Sequence, residues 1–184
     1  MTRPLIPISD ADWPETVADL RRGFAGQLNV YRIMAHHPDL LRAWTGLRNH
    51  IVHASTLGRV RAEVVILRLA YRLSSGYEWN QHVSRGLKAG LSKPRIAALR
   101  GPVTDIAGED AVLADAVDTL LDHSRLSPDQ MVALEQLIGR PAVLDLMATM
   151  GMYLTLGFML NSTDCPLDTD IADDLGRTAP ELMV

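Results

Sequence analysis

Apolar residues in this chain recur at steps of three and four, with no convincing strand pattern among them, so helices are the way it can bury them. Leu40, Trp44, Leu47 and Ile51 follow at steps of four, three and four, which puts them on one face of a helix from Asp39 to about Ala54. From about Arg59 to Leu73 two stripes run side by side. One passes through Glu63, Ile66, Ala70 and Leu73, the other through Val60, Val64, Leu67 and Tyr71. Trp79, Val83 and Leu87 mark a face between Tyr77 and Lys88, and Gly90 closes that helix. Val112, Leu113, Ala116, Val117, Leu120 and Leu121 do the same for Glu109–His123.

The breaks between these runs carry helix-end chemistry. A first helix is expected from Asp12 to Gly23, and a short one around Val30–His36 that stops before Pro38. Another short helix, Pro94–Leu99, ends at the Gly101–Pro102 breaker. Ser127-Pro128-Asp129-Gln130 offers a capping serine, proline at the first helical position and glutamine two residues on, and so opens a helix reaching Ile138. A last helix covers about Pro141–Leu160. The prediction is one all-α domain over residues 1–184 with about eight helices, and a polar, acidic tail over 161–184 whose order the sequence leaves open.

Composition narrows the function. Hydrophobic residues make up 47%, enough for a core, and only 5% are aromatic, so Ala, Leu, Val, Ile and Met favour helix. The net charge is −4 with no basic run, which argues against nucleic acid or an anionic membrane as partner. Cys165 is the one cysteine, so neither an internal disulfide, a CxxC redox pair nor a cysteine-rich zinc site is expected. This suits a reducing cytoplasm, as does an N-terminus without the apolar segment of a signal peptide. The most apolar stretch, Ala142–Leu160, carries Asp145 and two glycines and follows Arg140 and Pro141; it reads as a buried helix rather than a membrane span.

Three acid–base features stand out between Arg61 and His82. Glu63 lies in an apolar stripe, where a carboxylate is either solvated at the edge or held by a partner. Glu78 and His82 are four apart on one helix, so their side chains can meet, and a carboxylate beside an imidazole raises the histidine pKa. The pair is either an exposed i,i+4 contact or a proton-transfer site near neutral pH. Ser75-Gly76-Tyr77-Glu78 also fits a capping box, a structural duty that competes for Glu78. His50 and His53 are three apart and could line a pocket, but no further metal ligands are indicated. Arg61, Arg68 and Arg72 share one side of their helix and either meet a carboxylated ligand or form a solvated charged face. The chain has no phosphate-binding glycine loop and no nucleophile elbow.

Two segments resemble the carboxymuconolactone decarboxylase / alkylhydroperoxidase AhpD-like superfamily. Tyr31 through Trp44 reads as its "AHHPxLLxAW" lead-in, and Glu63 through His82, with Tyr77-Glu78-Trp79-x-x-His82, as its core motif; the likeness covers about residues 24–100. The peroxidase branch has the pattern E-x11-C-x2-C-x3-H. Here its glutamate and histidine fall on Glu63 and His82, but its cysteines fall on Ser75 and Glu78, so both redox thiols are missing. The decarboxylase branch is the nearer likeness. It implies a cofactor-independent lyase or isomerase acting on a small carboxylated or lactone-like substrate, with no metal. His82 would be the general acid/base, Glu78 its partner or a second base and Glu63 the residue orienting the imidazole; Tyr71, Ser75, Tyr77, Trp79 and Arg68 would bind substrate. The resemblance also implies a homo-oligomer, a trimer or hexamer. A non-catalytic helical oligomer that binds a small ligand is the alternative. Helix geometry sets one condition: Glu63 lies about 15 Å before the turn and His82 about 8–10 Å after it, so the two meet only if crossing or offset closes the gap.

Overall fold

The computed structural model describes residues 5–184, and no strand occurs among them. The described residues hold eleven α-helices, more than the eight or so expected. These are α1 (Ala18–Arg21), α2 (Phe24–Gln27), α3 (Asn29–Met34), α4 (Pro38–Asn49), α5 (Arg59–Arg72), α6 (Gly76–Ala89), α7 (Lys93–Ala98), α8 (Glu109–His123), α9 (Pro128–Ile138), α10 (Arg140–Ser162) and α11 (Thr169–Thr178). The excess arises at the two ends. The stretch expected as one helix from Asp12 begins instead as a 3-10 turn, Glu15–Val17, followed by the four-residue α1. At the other end the acidic tail forms α11.

Helix α5 is the axis of the fold. Val64, Val65, Ile66, Leu67, Leu69 and Ala70 are all buried, so this helix is covered nearly all round, by α6, α8 and α10. That placement takes the polar residues Glu63 and Arg68 inside with it. Ser74, in the left-handed region with φ 51°, turns the chain from α5 into α6. Helix α10 approaches α5 at Gly157, where a β-carbon would stand 2.9 Å from the Leu73 side chain; only glycine allows that approach without a shift. Helix α10 is long and apolar enough to cross a membrane by length and composition, yet it buries Leu146, Thr149, Met152, Leu156 and Leu160 inside the protein.

The tail is ordered by polar contacts that its composition hides. Buried Asp168 accepts hydrogen bonds from the Asn29 backbone N–H (2.9 Å), the Gln81 amide (2.5 Å) and the Tyr77 hydroxyl. Trp79 Nε1 donates to the Leu182 carbonyl at 2.7 Å, and the Asn80 amide bonds Val184 in both directions, at 3.0 and 3.3 Å. Ile171, Leu175 and Leu182 then close over the core.

Two expected capping boxes have different outcomes. At α9 the Ser127 hydroxyl accepts from the Gln130 N–H and the Gln130 side chain accepts from the Ser127 N–H. At α6 the box is absent: Ser75 makes no side-chain cap bond, and Glu78 faces inward rather than back along the chain.

Candidate active site

Helices α5 and α6 bring Glu63, Glu78 and His82 together. His82 Nδ1 lies 2.7 Å from Glu63 Oε2, and His82 Nε2 lies 3.4 Å from Glu78 Oε2. The axial offset expected from counting residues therefore does not keep Glu63 from the imidazole. All three residues are buried, with exposures of 7%, 4% and 2% for Glu63, Glu78 and His82. The exposed-pair reading of Glu78 and His82 does not describe this structure. The Tyr153 ring of α10 stands edge-on to the imidazole, centroids 4.9 Å apart and planes at 88°, and holds it from the side.

The electrostatics follow from burial. Desolvation works against the imidazolium, but the Glu63 carboxylate and then hydrogen bonding to Glu63 and Glu78 outweigh it, and the His82 pKa is raised; Arg85 acts the other way. Nδ1 makes the shorter contact, to Glu63, and Nε2, 3.4 Å from Glu78, is the more loosely held nitrogen and the better placed to exchange a proton. Glu78 Oε1 is buried with no hydrogen-bond partner. An unsatisfied buried acceptor costs about 1–3 kcal/mol, and this one stands behind the imidazole rather than on the wall of the cavity that Glu63 and His82 line.

Glu63 and His82 form part of the lining of a cavity of about 470 Å³, the size of a small-molecule site. Its wall also carries Arg48, His53, Arg59, Arg85 and Tyr153. His53 stands on a π-helical turn, His50–Ala54, that continues α4. Such turns recur at functional sites because the extra residue redirects side chains. The two histidines of this turn go separate ways: His50 Nε2 meets Asp145 at 2.6 Å, and His53 Nε2 meets Arg48 Nη1 at 3.0 Å.

The residues expected to bind substrate lie elsewhere. Arg68 forks onto Asp118 at 2.9 and 2.6 Å and donates to the Leu99 and Gly101 carbonyls, which occupies its guanidinium. Tyr77 is engaged by Asp168. Tyr71, Ser75 and Trp79 line a second cavity of about 410 Å³, together with Arg100 and Val184. None of the five lines the cavity of His82. Arg48, Arg59, Arg85 and Tyr153 escaped the sequence reading. Arg85 alone had a local signal, three residues after His82 and so on the same helix face.

No curated protein matches the sequence. Among solved structures, a cysteine-to-alanine variant of the debrominase Bmp8 in complex with 2,3,4-tribromopyrrole superimposes with a TM-score of 0.75 at 13% identity, covering 96% of this chain and 97% of that one. An uncharacterized peroxidase-related protein from Silicibacter sp. TM1040 gives 0.74 at 14% identity, covering 93% and 97%. At such identity these likenesses show the fold. The carboxymuconolactone decarboxylase family model matches residues 38–120, the segment that holds Glu63, Glu78 and His82 together, and the whole chain has the AhpD-like fold.

Proposed function

We propose that this protein is a cofactor-independent lyase or isomerase of the carboxymuconolactone decarboxylase type, acting on a small carboxylated or lactone-like molecule. The observation that carries this reading is a buried imidazole held between two carboxylates at the wall of a ligand-sized cavity. Glu63 fixes the tautomer and orientation of His82, which leaves Nε2 to give or take a proton. In a decarboxylation the carbon–carboxylate bond breaks, CO2 leaves, and the electron pair remains on carbon, delocalised into the lactone carbonyl. His82 Nε2–H then protonates that carbon, and the imidazole recovers its proton from solvent by way of Glu78. A cytoplasmic homo-oligomer belongs to the same proposal, and exposed Leu144 and Phe158 on α10 supply apolar surface for it.

The test is a set of carboxylated γ-lactones incubated with the purified protein in D2O, with loss of the carboxylate and deuterium uptake at carbon followed by NMR. His82→Ala should remove turnover while leaving the helical circular dichroism intact. Turnover by that variant at the wild-type rate would end the assignment.

A further inference from the structure

Seven arginines among the described residues pair with carboxylates. Arg42, Arg68, Arg95 and Arg140 each fork onto a carboxylate of Asp19, Asp118, Asp110 or Glu135. The three arginines that line the His82 cavity differ: among the described residues none of Arg48, Arg59 and Arg85 pairs with a carboxylate at salt-bridge distance. Arg48 is 9% exposed, its Nε is buried without a partner, and its guanidinium lies over the Phe24 ring at 4.1 Å. Its Nη1 reaches only two neutral acceptors, Asn49 Oδ1 at 3.2 Å and His53 Nε2 at 3.0 Å. Arg85 is half-buried one helical turn beyond His82, close enough to Glu63 and Glu78 to feel their charge, but it makes no hydrogen bond among the described residues. A guanidinium cannot shed its proton, so the buried Arg48 without an anion is a costly arrangement unless an anion arrives, and Arg85 has donors still unspent.

We infer that Arg85 and Arg48 are the specificity-determining residues of this cavity, taking the carboxylate of the substrate by forked hydrogen bonds and setting it beside the exchanging nitrogen of His82. Arg59, exposed at the rim, draws the anion in. The inference rests on the reading of this cavity as the substrate site, and it adds which groups select the ligand. Because Arg85 and His82 are three residues apart on α6, the atom protonated is one near the bound carboxylate.

The probe is succinate, with succinamide as its uncharged counterpart of the same shape, each titrated into the whole protein by calorimetry at low ionic strength. Succinate is expected to bind saturably and succinamide to show no binding. Arg85→Met and Arg48→Met should each weaken succinate about ten- to hundredfold, with Arg85→Lys between the two. Thermal melts accompany each titration, because Arg85 also offsets the charge of Glu63 and Glu78. Lost stability with unchanged succinate affinity would make its role purely structural and overturn the inference. Equal affinity for succinate and succinamide would overturn it too. Saturable, arginine-dependent succinate binding without turnover of any lactone would support the arginine assignment while counting against the lyase reading. Lactone turnover with wild-type KM in Arg85→Met would do the reverse.

Discussion

Glu63 and His82 stand 19 residues apart in the chain and 2.7 Å apart in space, on two helices joined by one left-handed serine. That contact sets the charge of the imidazole, and replacing the carboxylate isolates its effect. Glu63→Gln keeps the shape and a hydrogen-bonding oxygen but removes the charge. The His82 pKa should fall in this variant, read from the imidazole proton shifts in an NMR titration. An unchanged or higher value would mean that Glu63 does not stabilise the imidazolium.

The same pair predicts how stability varies with pH. The folded His82 pKa is raised, so the stabilisation it brings is fully present below its unfolded value of about 6.5 and is lost as pH rises through the folded value. Urea midpoints of the wild type and Glu63→Gln should therefore lie further apart at pH 6 than at pH 9. A gap that stayed constant or widened with pH would contradict the sign.

Arg68 should matter for stability and not for substrate. Its guanidinium is 5% exposed and fully taken up by Asp118 and two carbonyls. Arg68→Met leaves Asp118 without its closest partner and should destabilise the protein by about 3–5 kcal/mol in urea unfolding. The KM of the folded fraction should stay at the wild-type value. A raised KM with unchanged stability would restore Arg68 to the binding residues.

Thiol chemistry should be absent. Burial, reinforced by the charges of Asp168 and Glu78, pushes the Cys165 thiol up to about 12, so almost no thiolate exists at neutral pH. Cys165→Ser should leave any lyase turnover unchanged, and the native thiol should react with an aromatic disulfide reagent slowly until the protein unfolds. Peroxide reduction that disappears in Cys165→Ser would show the opposite.

The sequence by itself determined the helices and the acid–base residues. Steps of three and four place Val64 and Leu67 on the buried side of a helix in any fold, and the spacing of Glu78 and His82 puts them on one helical face before any tertiary contact forms. Local signals failed where a residue had two possible duties. Ser75 and Glu78 spell a capping box, yet burial of α6 turned Glu78 toward His82 instead. The tail reads as acidic and loose, and Asp168 ordered it by accepting from Asn29, Tyr77 and Gln81, partners at least 87 residues away. Only the tertiary structure decided which arginines face the cavity: Arg48 comes from α4, Arg59 and Glu63 from α5, Arg85 from α6 and Tyr153 from α10. Periodicity reports which side of a helix is covered, because that depends on spacing along one chain segment. Which neighbour covers it, and whether a charge there meets a partner or a hollow, depends on how several helices cross, and no single segment encodes that.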